Sequence, residues 1–445
     1  MLQRCRPLQL ITVFGVSLCF IFLAEAVYRP VTSQSLTGYE RQRGQAMLRM
    51  VKEDLKRHYY DPNFRGMDVE ARFKEAEEKI KQAVSNGQVF GIIAQVLLEL
   101  NDSHTFFVPP SRTNETDYGW WMQMFGDRCY VAAVKPGSDA EKKGLKPGDE
   151  ILSVDGREPR RENLWILDYL YHQLRPQPGM RLVVVDPSGA KRDLVVAAKI
   201  KTGKQITDLT SGADIMKLIR DAENEARFMR QRYVETDDLL IWKMPEFDLE
   251  RSNVDSLIDK ARKRNNLILD LRGNSGGRED TMLRLIGNFF DRDINVGELK
   301  RRKESKSLVA KKRGSDFFSG NLVVLVDSKS GSASELFSRV VQLEKRGTVL
   351  GDRSAGAVMR SRGHSHQAGM DIVSFYAVSI TDADIIMTDG KSLEHVGVIP
   401  DRIILPTAAD LRDGRDPVLA EAAALLGFKL DAQKAGSFFP IEWRK

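Results

Sequence analysis

Cysteine is scarce in this 445-residue chain, which contains only three. Cys5 and Cys19 lie close to the N-terminus and Cys129 stands alone, so a disulfide framework is excluded for most of the chain. Histidine is also scarce, with six residues, and the sequence contains neither an HExxH nor a CxxC motif. We therefore expect no bound metal and no cofactor.

Charge of one sign is not in large excess either. The chain has 68 basic and 62 acidic residues, a formal net charge of +6, and this balance does not indicate a nucleic-acid partner. A hydrophobic content of 42% is that of a globular protein and excludes collagen and polytopic membrane proteins. Because single cores stop growing at about 250 to 300 residues, the length predicts two or three domains. It leaves the oligomeric state open.

The N-terminus has the pattern of a secretory signal peptide. Arg4 and Arg6 precede an apolar stretch at 10–23, which is followed by Ala-Glu-Ala at 24–26. The stretch is shorter than the ~20 residues of a comfortable membrane span, although an uncleaved anchor is the alternative. We expect cleavage after Ala26, export to the periplasm or the extracellular space, and no stable membrane span in the mature chain.

The remaining sequence changes texture along its length. Apolar residues at spacings of three and four predict helices first, short runs bounded by Gly and Pro then predict a mostly β module, and from Leu239 strands alternate with helices. The last pattern predicts a largely parallel sheet, so the fold class is α/β, or α+β overall. The predicted segments are a signal peptide at 1–26, a helical segment at 27–116, a small β domain at 117–200, a helical linker at 201–236, an α/β core at 237–408 and a helical tail at 409–445.

Two junctions in the predicted core could carry chemistry. The strand at 267–271 enters a loop with Gly276 and Gly277, where backbone N–H groups can point at an anion, although a tight turn explains the glycines equally well. The strand at 322–326 is followed by serines 330, 332 and 334 and then a helix, whose N-terminus could stabilise an oxyanion. The pattern also fits a capping box in which Ser332 only caps the helix. The spacing does not choose between the three serines.

A serine nucleophile needs a base, and His104 is the best placed histidine. It follows Asp102 and Ser103 in a loop between a predicted helix and a predicted strand, although a structural role beside an Asx-turn is the alternative. Glu394 could orient such a base, or could be an exposed loop acid.

The other histidines carry weaker signals. His58 and His172 lie in helix-like patterns and are expected to be structural. His364 and His366 are two residues apart and would share a face of a strand, so a metal pair is conceivable there. No metal-binding motif accompanies them, and the sequence does not predict a site.

Together, the segments at 269–277, 331–335 and 393–401 resemble the C-terminal-processing (tail-specific) serine protease family in order and spacing. The module at 117–200 is similar to the PDZ domain of these proteases, through its G-L-K-P-G-D sequence at 144–149. The resemblance covers about residues 38–405. It implies a PDZ-like β domain and an α/β protease core.

One difference between this chain and the family pattern indicates which catalytic mechanism to expect. In the bacterial processing branch a lysine base follows the serine by 25 residues, but residue 357 of this chain is Ala357. The segment around Ser103 and His104 is instead similar to the serine-histidine pair of the tricorn-like branch, and Glu394 to its acid. The resemblance therefore implies that Ser332 is the nucleophile and His104 the base, oriented by Ser103 and Glu394.

The resemblance also implies the groups that bind substrate. The N–H of Ala333 and that of Gly276 or Gly277 would form the oxyanion hole. The PDZ-like groove would bind an extended peptide by strand addition, at Trp120, Trp121 and Met122.

We accordingly expect a secreted or periplasmic serine endopeptidase that cleaves polypeptides near their C-termini. The main alternative is an inactive relative that binds peptides or a hydrophobic ligand through the PDZ-like domain and the core cleft. A membrane-anchored PDZ scaffold is a third interpretation, but it leaves the Ser332 junction unexplained.

Overall fold

The computed structural model describes residues 36–112, 114–202, 230–236, 238–368 and 374–443. The predicted signal peptide and most of the predicted linker lie outside these residues. Among the residues described, no helix has both the length and the apolar character needed to cross a membrane.

Three helices form the N-terminal unit. They are α1 (Gly38–His58), α2 (Val69–Lys81) and α3 (Asn86–Leu98). Each begins after a capping residue, Thr37, Asp68 or Ser85, whose side chain accepts a hydrogen bond from a backbone N–H of the first turn. Their apolar faces pack together and against β-structure from the C-terminal half of the chain.

A small β domain follows this helical unit. Between the two, β1 (Phe106–Val108) pairs with a strand of the C-terminal half. The domain begins with β2 (Asn114–Asp117) and ends with β8 (Lys199–Thr202), which pair with each other. Its other elements are β3 (Trp120–Phe125), β4 (Arg128–Val134), α4 (Asp139–Lys142), β5 (Glu150–Val154), α5 (Leu164–Tyr169), β6 (Gly179–Val185) and β7 (Lys191–Ala197). The antiparallel sheet has the order β3-β4-β5-β6-β7, which leaves β3 at one edge. Its apolar residues form a separate core.

The α/β core contains the largely parallel sheet that the sequence predicts. Its first elements are β9 (Arg232–Glu235), β10 (Leu239–Lys243), α6 (Arg251–Ala261), β11 (Asn266–Asp270), α7 (Glu279–Gly287), β12 (Ile294–Lys300), β13 (Ser305–Ala310) and β14 (Asn321–Val326). The later ones are α8 (Ala333–Leu343), β15 (Thr348–Gly351), β16 (Met359–Ala368), β17 (Ser374–Met387) and β18 (Arg402–Ile403). In the order β18-β15-β14-β11-β10-β9, only β9 runs antiparallel to its neighbour.

The prediction of a helical linker at 201–236 is wrong at its C-terminal end, where the chain forms β9. Residues 232–235 are extended and pair with β10, because the edge of the sheet offers them backbone hydrogen bonds. Residues 201 and 202, at the other end of the predicted linker, belong to β8.

A second, antiparallel sheet joins the N-terminal unit to the core. Its strands have the order β1-β17-β12-β13, and β16 also pairs with β17. Of these five strands, the sequence pattern predicts only β1. The pairing of β1 with β17 brings the loop that carries His104 to the core.

Helices close the chain. They are α9 (Ala408–Asp413), α10 (Pro417–Leu425) and α11 (Ala432–Ser437). Apolar residues of α10 and α11 cover one face of the parallel sheet.

Candidate active site

The structure separates the three serines that follow β14. Ser330 is fully buried and its hydroxyl donates to the Leu271 carbonyl at 2.8 Å. Ser334 is also fully buried, and its hydroxyl donates to the Asn274 carbonyl at 2.8 Å. Ser332 alone of the three is partly exposed. Its hydroxyl is therefore the candidate nucleophile.

The backbone of Ser332 is strained. Its φ of 53° and ψ of −116° differ from the extended conformation of an ordinary helix cap. The conformation is fixed by the Ser332 N–H, which donates to the Ala357 carbonyl at 2.8 Å and to the Glu335 carboxylate at 3.0 Å. Positive φ in a non-glycine residue persists only where the surroundings hold it, and such strain clusters at functional sites. Ser332 is also the N-cap of α8, and the Glu335 carboxylate accepts from its N–H as in the predicted capping box.

Glu335, the third residue of α8 and the acid of the capping-box pattern, is a buried carboxylate. Its Oε1 accepts hydrogen bonds from Ser354 Oγ at 2.6 Å and from the Gly356 N–H at 2.7 Å. Its Oε2 accepts from the N–H groups of Ser332 and Ala357, both at 3.0 Å. Burial raises the pKa of Glu335 to about 7 in spite of these four donors. The carboxylate thus ties the Ser332 turn to the loop at 354–357.

The glycine loop lies directly against Ser332. A Cβ on Gly276 would lie 2.6 Å from the Ser332 Cβ and 3.1 Å from the Ala333 nitrogen, which explains why this position has no side chain. The Gly276 N–H donates to Asn274 Oδ1 at 2.9 Å and is therefore engaged. Within the part of the chain that the structure describes, the N–H groups of Gly277 and Ala333 have no acceptor. These two groups are the candidate oxyanion donors.

Ser103, His104 and Glu394 form a hydrogen-bonded relay. The Ser103 hydroxyl donates to Glu394 Oε2 at 2.9 Å and lies 2.7 Å from His104 Nδ1. Because the hydroxyl has one proton and donates it to the carboxylate, His104 must donate from Nδ1, which leaves Nε2 as the acceptor. A neutral imidazole with a free Nε2 is the form that a general base requires.

The charge state of His104 is set by competing effects. Burial lowers its pKa from the ordinary value of 6.5, while the negative charges of Glu394 and Asp102 act in the opposite direction. Since burial has the largest effect, the imidazole is neutral at neutral pH.

Asp102 forms the Asx-turn that the sequence suggests beside His104, and this turn positions the relay. Asp102 is buried, and its Oδ1 accepts from the N–H groups of His104 at 2.9 Å and Thr105 at 3.1 Å. The Thr381 hydroxyl of β17 donates to the same oxygen at 2.7 Å. The loop after Glu394 adds a second contact, because His395 Nε2 donates to the Asn101 carbonyl at 2.9 Å.

The relay and Ser332 are hydrogen-bonded to two consecutive residues, Val358 and Ala357. The Val358 N–H donates to Glu394 Oε2 at 2.8 Å, and the Ala357 carbonyl accepts from the Ser332 N–H. The structure therefore brings the four predicted catalytic residues into one site. It also places Ala357, where the resemblance expects a lysine, in contact with Ser332.

The predicted peptide-binding residues are only partly brought together. Trp120 and Met122 are buried in the core of the small β domain, because alternate side chains of β3 face inward. Their assignment as peptide-contacting side chains is corrected accordingly. Trp121 faces outward with 44% of its surface exposed, and its ring lies 4.7 Å from that of Trp443.

The edge of β3 adjoins the loop that leads to Ser332. Ser328 Oγ donates to the Met124 carbonyl at 2.6 Å, and Gln123 Nε2 donates to Asp327 Oδ2 at 2.8 Å. The small β domain therefore contacts the chain four residues before the candidate nucleophile.

Comparisons with known proteins agree with this architecture. The chain is 25% identical to the tail-specific protease of Haemophilus influenzae over 70% of its length, and it spans 45% of that protein. It is 24% identical to the chloroplastic C-terminal processing peptidase of Tetradesmus obliquus over 78% of its length, and it spans 74% of that protein. The structure of mature CPAF in complex with lactacystin has a similar fold, with a TM-score of 0.61 and 16% identity over 84% of this chain and 95% of that one.

Two families are matched directly. Residues 238–404 match Peptidase family S41, and residues 130–166 match the PDZ domain. The predicted enzyme class, a serine-type peptidase, is supported by these matches. The predicted α/β fold is confirmed by the sheets of the structure and by the similarity to mature CPAF. The chain therefore combines a module similar to a PDZ domain with a following region similar to peptidase family S41.

Proposed function

We propose that this chain is a serine endopeptidase that acts on polypeptides through Ser332, with His104 as general base. The observation that carries the proposal is the Glu394–Ser103–His104 relay, which fixes the imidazole tautomer with Nε2 free. A non-catalytic peptide binder has no need of this arrangement beside a strained serine.

The geometry supports a two-step reaction. Ser332 Oγ attacks the scissile carbonyl carbon while His104 Nε2 accepts the hydroxyl proton. The resulting oxyanion receives hydrogen bonds from the N–H groups of Ala333 and Gly277. The imidazolium is stabilised through Ser103 by the Glu394 carboxylate, and it then gives its proton to the leaving amine.

The acyl-enzyme that remains is hydrolysed by the same groups. Water attacks the ester carbonyl while His104 accepts its proton, and the carboxylate product leaves as Ser332 regains its hydrogen. No step needs a metal or a cofactor.

The PDZ domain supports a polypeptide substrate. An extended chain that adds to the edge of β3 runs toward the loop containing Ser328, which leads into Ser332. The names of the two relatives, a tail-specific protease and a C-terminal processing peptidase, agree with cleavage near a polypeptide C-terminus. We propose that the protein is exported, on the basis of the signal-peptide pattern at 1–26.

Labelling with a fluorescent fluorophosphonate tests the proposal. The wild-type protein should react at one serine, and Ser332→Ala should abolish both labelling and peptide hydrolysis. Ser334→Ala is the matched control, because this serine lies two positions away with its hydroxyl committed to Asn274, and it should still be labelled. A wild-type protein that does not react would favour the inactive, peptide-binding relative.

A further inference from the structure

A cluster of histidines lies outside the candidate active site. Asp54 and His58, four residues apart on one face of α1, meet His364 of β16, and their potential ligand atoms all lie within 4.8 Å of one another. His366, two residues further along β16, points the same way, and its Nε2 lies 2.5 Å from Asp54 Oδ2. Three of the six histidines of the chain thus converge on one carboxylate.

The cluster lies beside the apolar contact between β17 and the helical unit. His364 and His366 lie opposite Val378 and Tyr376 on β17, both of which are buried against the helical unit. Burying several imidazoles at such a contact is unfavourable unless their nitrogens have partners.

One of these nitrogens has no such partner. His364 Nε2 is buried and lacks a hydrogen-bond partner among the described residues. The ring of His364 instead stacks on that of His58, with 4.3 Å between centroids. Stacking leaves the lone pairs of both rings available, and a cation would satisfy them.

We propose that Asp54, His58 and His364 bind a divalent transition metal of the zinc class. Two imidazoles and a carboxylate form a common three-residue ligand set that leaves a position for water. Donor atoms around a tetrahedral zinc lie about 3.3 Å apart, so binding requires the stacked rings of His58 and His364 to turn until their nitrogens converge on the ion. His366 orients the Asp54 carboxylate through its Nε2, because a carboxylate that binds a metal is usually held by a further hydrogen bond.

The metal links the helical unit to the sheet that carries the general base. It joins α1 to β16, and β16 pairs with β17, whose Thr381 binds Asp102 beside His104. His364 lies six residues beyond Val358 on an extended strand, about 20 Å from the residue whose N–H contacts Glu394, so the metal takes no part in the chemistry. Its role is to hold the N-terminal unit in place.

Zinc titration of the untagged full-length chain, monitored by calorimetry after treatment with a chelator, tests the site. We expect one saturable site and, at a free zinc concentration of 100 times Kd, an apparent unfolding temperature higher by about 3 °C. His364→Ala and His58→Ala should each weaken binding at least 100-fold, and His366→Ala should weaken it about 10- to 100-fold.

The matched control is Ser365→Ala, which lies between the two histidines on the exposed face of β16 and should bind zinc as the wild type does. Circular dichroism and the fluorophosphonate reaction establish that each variant is folded. Wild-type protein without saturable binding, or folded His364→Ala and His58→Ala variants that bind as tightly as the wild type, would overturn the proposal. Equal losses in Ser365→Ala would do the same, because they would show that binding does not depend on the cluster.

Discussion

Replacing Ser103 by alanine tests how the base is oriented. The change removes the hydroxyl that joins His104 Nδ1 to Glu394 Oε2, over distances of 2.7 and 2.9 Å. Glu394 itself should stay in place, because its carboxylate still accepts from the N–H groups of Ser103 and Val358. The variant therefore removes one link of the relay and leaves the rest of the site intact.

The expected loss follows from the strength of that link. A hydrogen bond to a charged group contributes about 1.5 to 3 kcal/mol. The bond is strongest when the imidazole becomes positively charged in the transition state, so its loss should reduce kcat rather than raise KM. At about 1.4 kcal/mol for each factor of ten, kcat should fall about 10- to 100-fold.

Steady-state hydrolysis of a chromogenic peptide measures this change. Ser103→Thr is the matched control, because it retains a hydroxyl at the same position and should keep most of the activity. A Ser103→Ala variant within twofold of the wild-type kcat would refute the relay. A rise in KM with unchanged kcat would assign Ser103 to substrate binding.

Two further predictions concern ionisation. The rate of hydrolysis should fall at acid pH with an apparent pKa below 6.5, because burial lowers the pKa of His104 and only the neutral imidazole is a base. A pH profile whose acid limb has a pKa above 6.5 would contradict the assignment of His104. Glu335→Gln should cost about 1 to 3 kcal/mol of unfolding free energy, because the amide leaves at least one buried N–H without an acceptor. Since the pKa of Glu335 rises from 4.5 to about 7 on folding, the wild type loses stability as pH rises through 7, whereas the variant does not titrate there. The difference between their urea unfolding curves should therefore shrink from pH 4.5 to pH 7, and a constant difference would argue against a titrating Glu335.

Much of the peptidase core could be predicted because its signals are local. The alternation of apolar strands with helices from Leu239 onward predicts the parallel sheet, and a glycine loop or a serine cluster after a strand can be recognised within ten residues. Residues far apart, such as Ser103 and Glu394, could be paired only through the resemblance to a known family. Because they are 291 positions apart, neither periodicity nor motif spacing indicates that they are in contact.

The features that the sequence did not reveal depend on contacts between distant segments. The second sheet pairs β1 with β17, so that Phe106 lies beside Ser379, and no local sequence pattern records a pairing over that distance. Nor does the sequence distinguish Ser332 from its neighbours, because all three serines follow the same strand. The distinction arises from tertiary hydrogen bonds that occupy the other two hydroxyls.

Strand β17 connects the proposed general base, His104, to the core, although His104 lies in a segment that precedes the PDZ-like domain. It pairs with β1 just after His104, with β16 beside the proposed metal site, and with β12 of the core. The proposed general base, His104, is therefore held where β1 from the N-terminal side pairs with β17, whereas Ser332 is held by the parallel sheet of the core. Neither half contains the complete catalytic set. Because β1 contributes only three residues to this sheet, the apolar contacts of the helical unit must supply most of the docking energy. The activity of the site thus depends on packing between segments that lie far from it in the sequence.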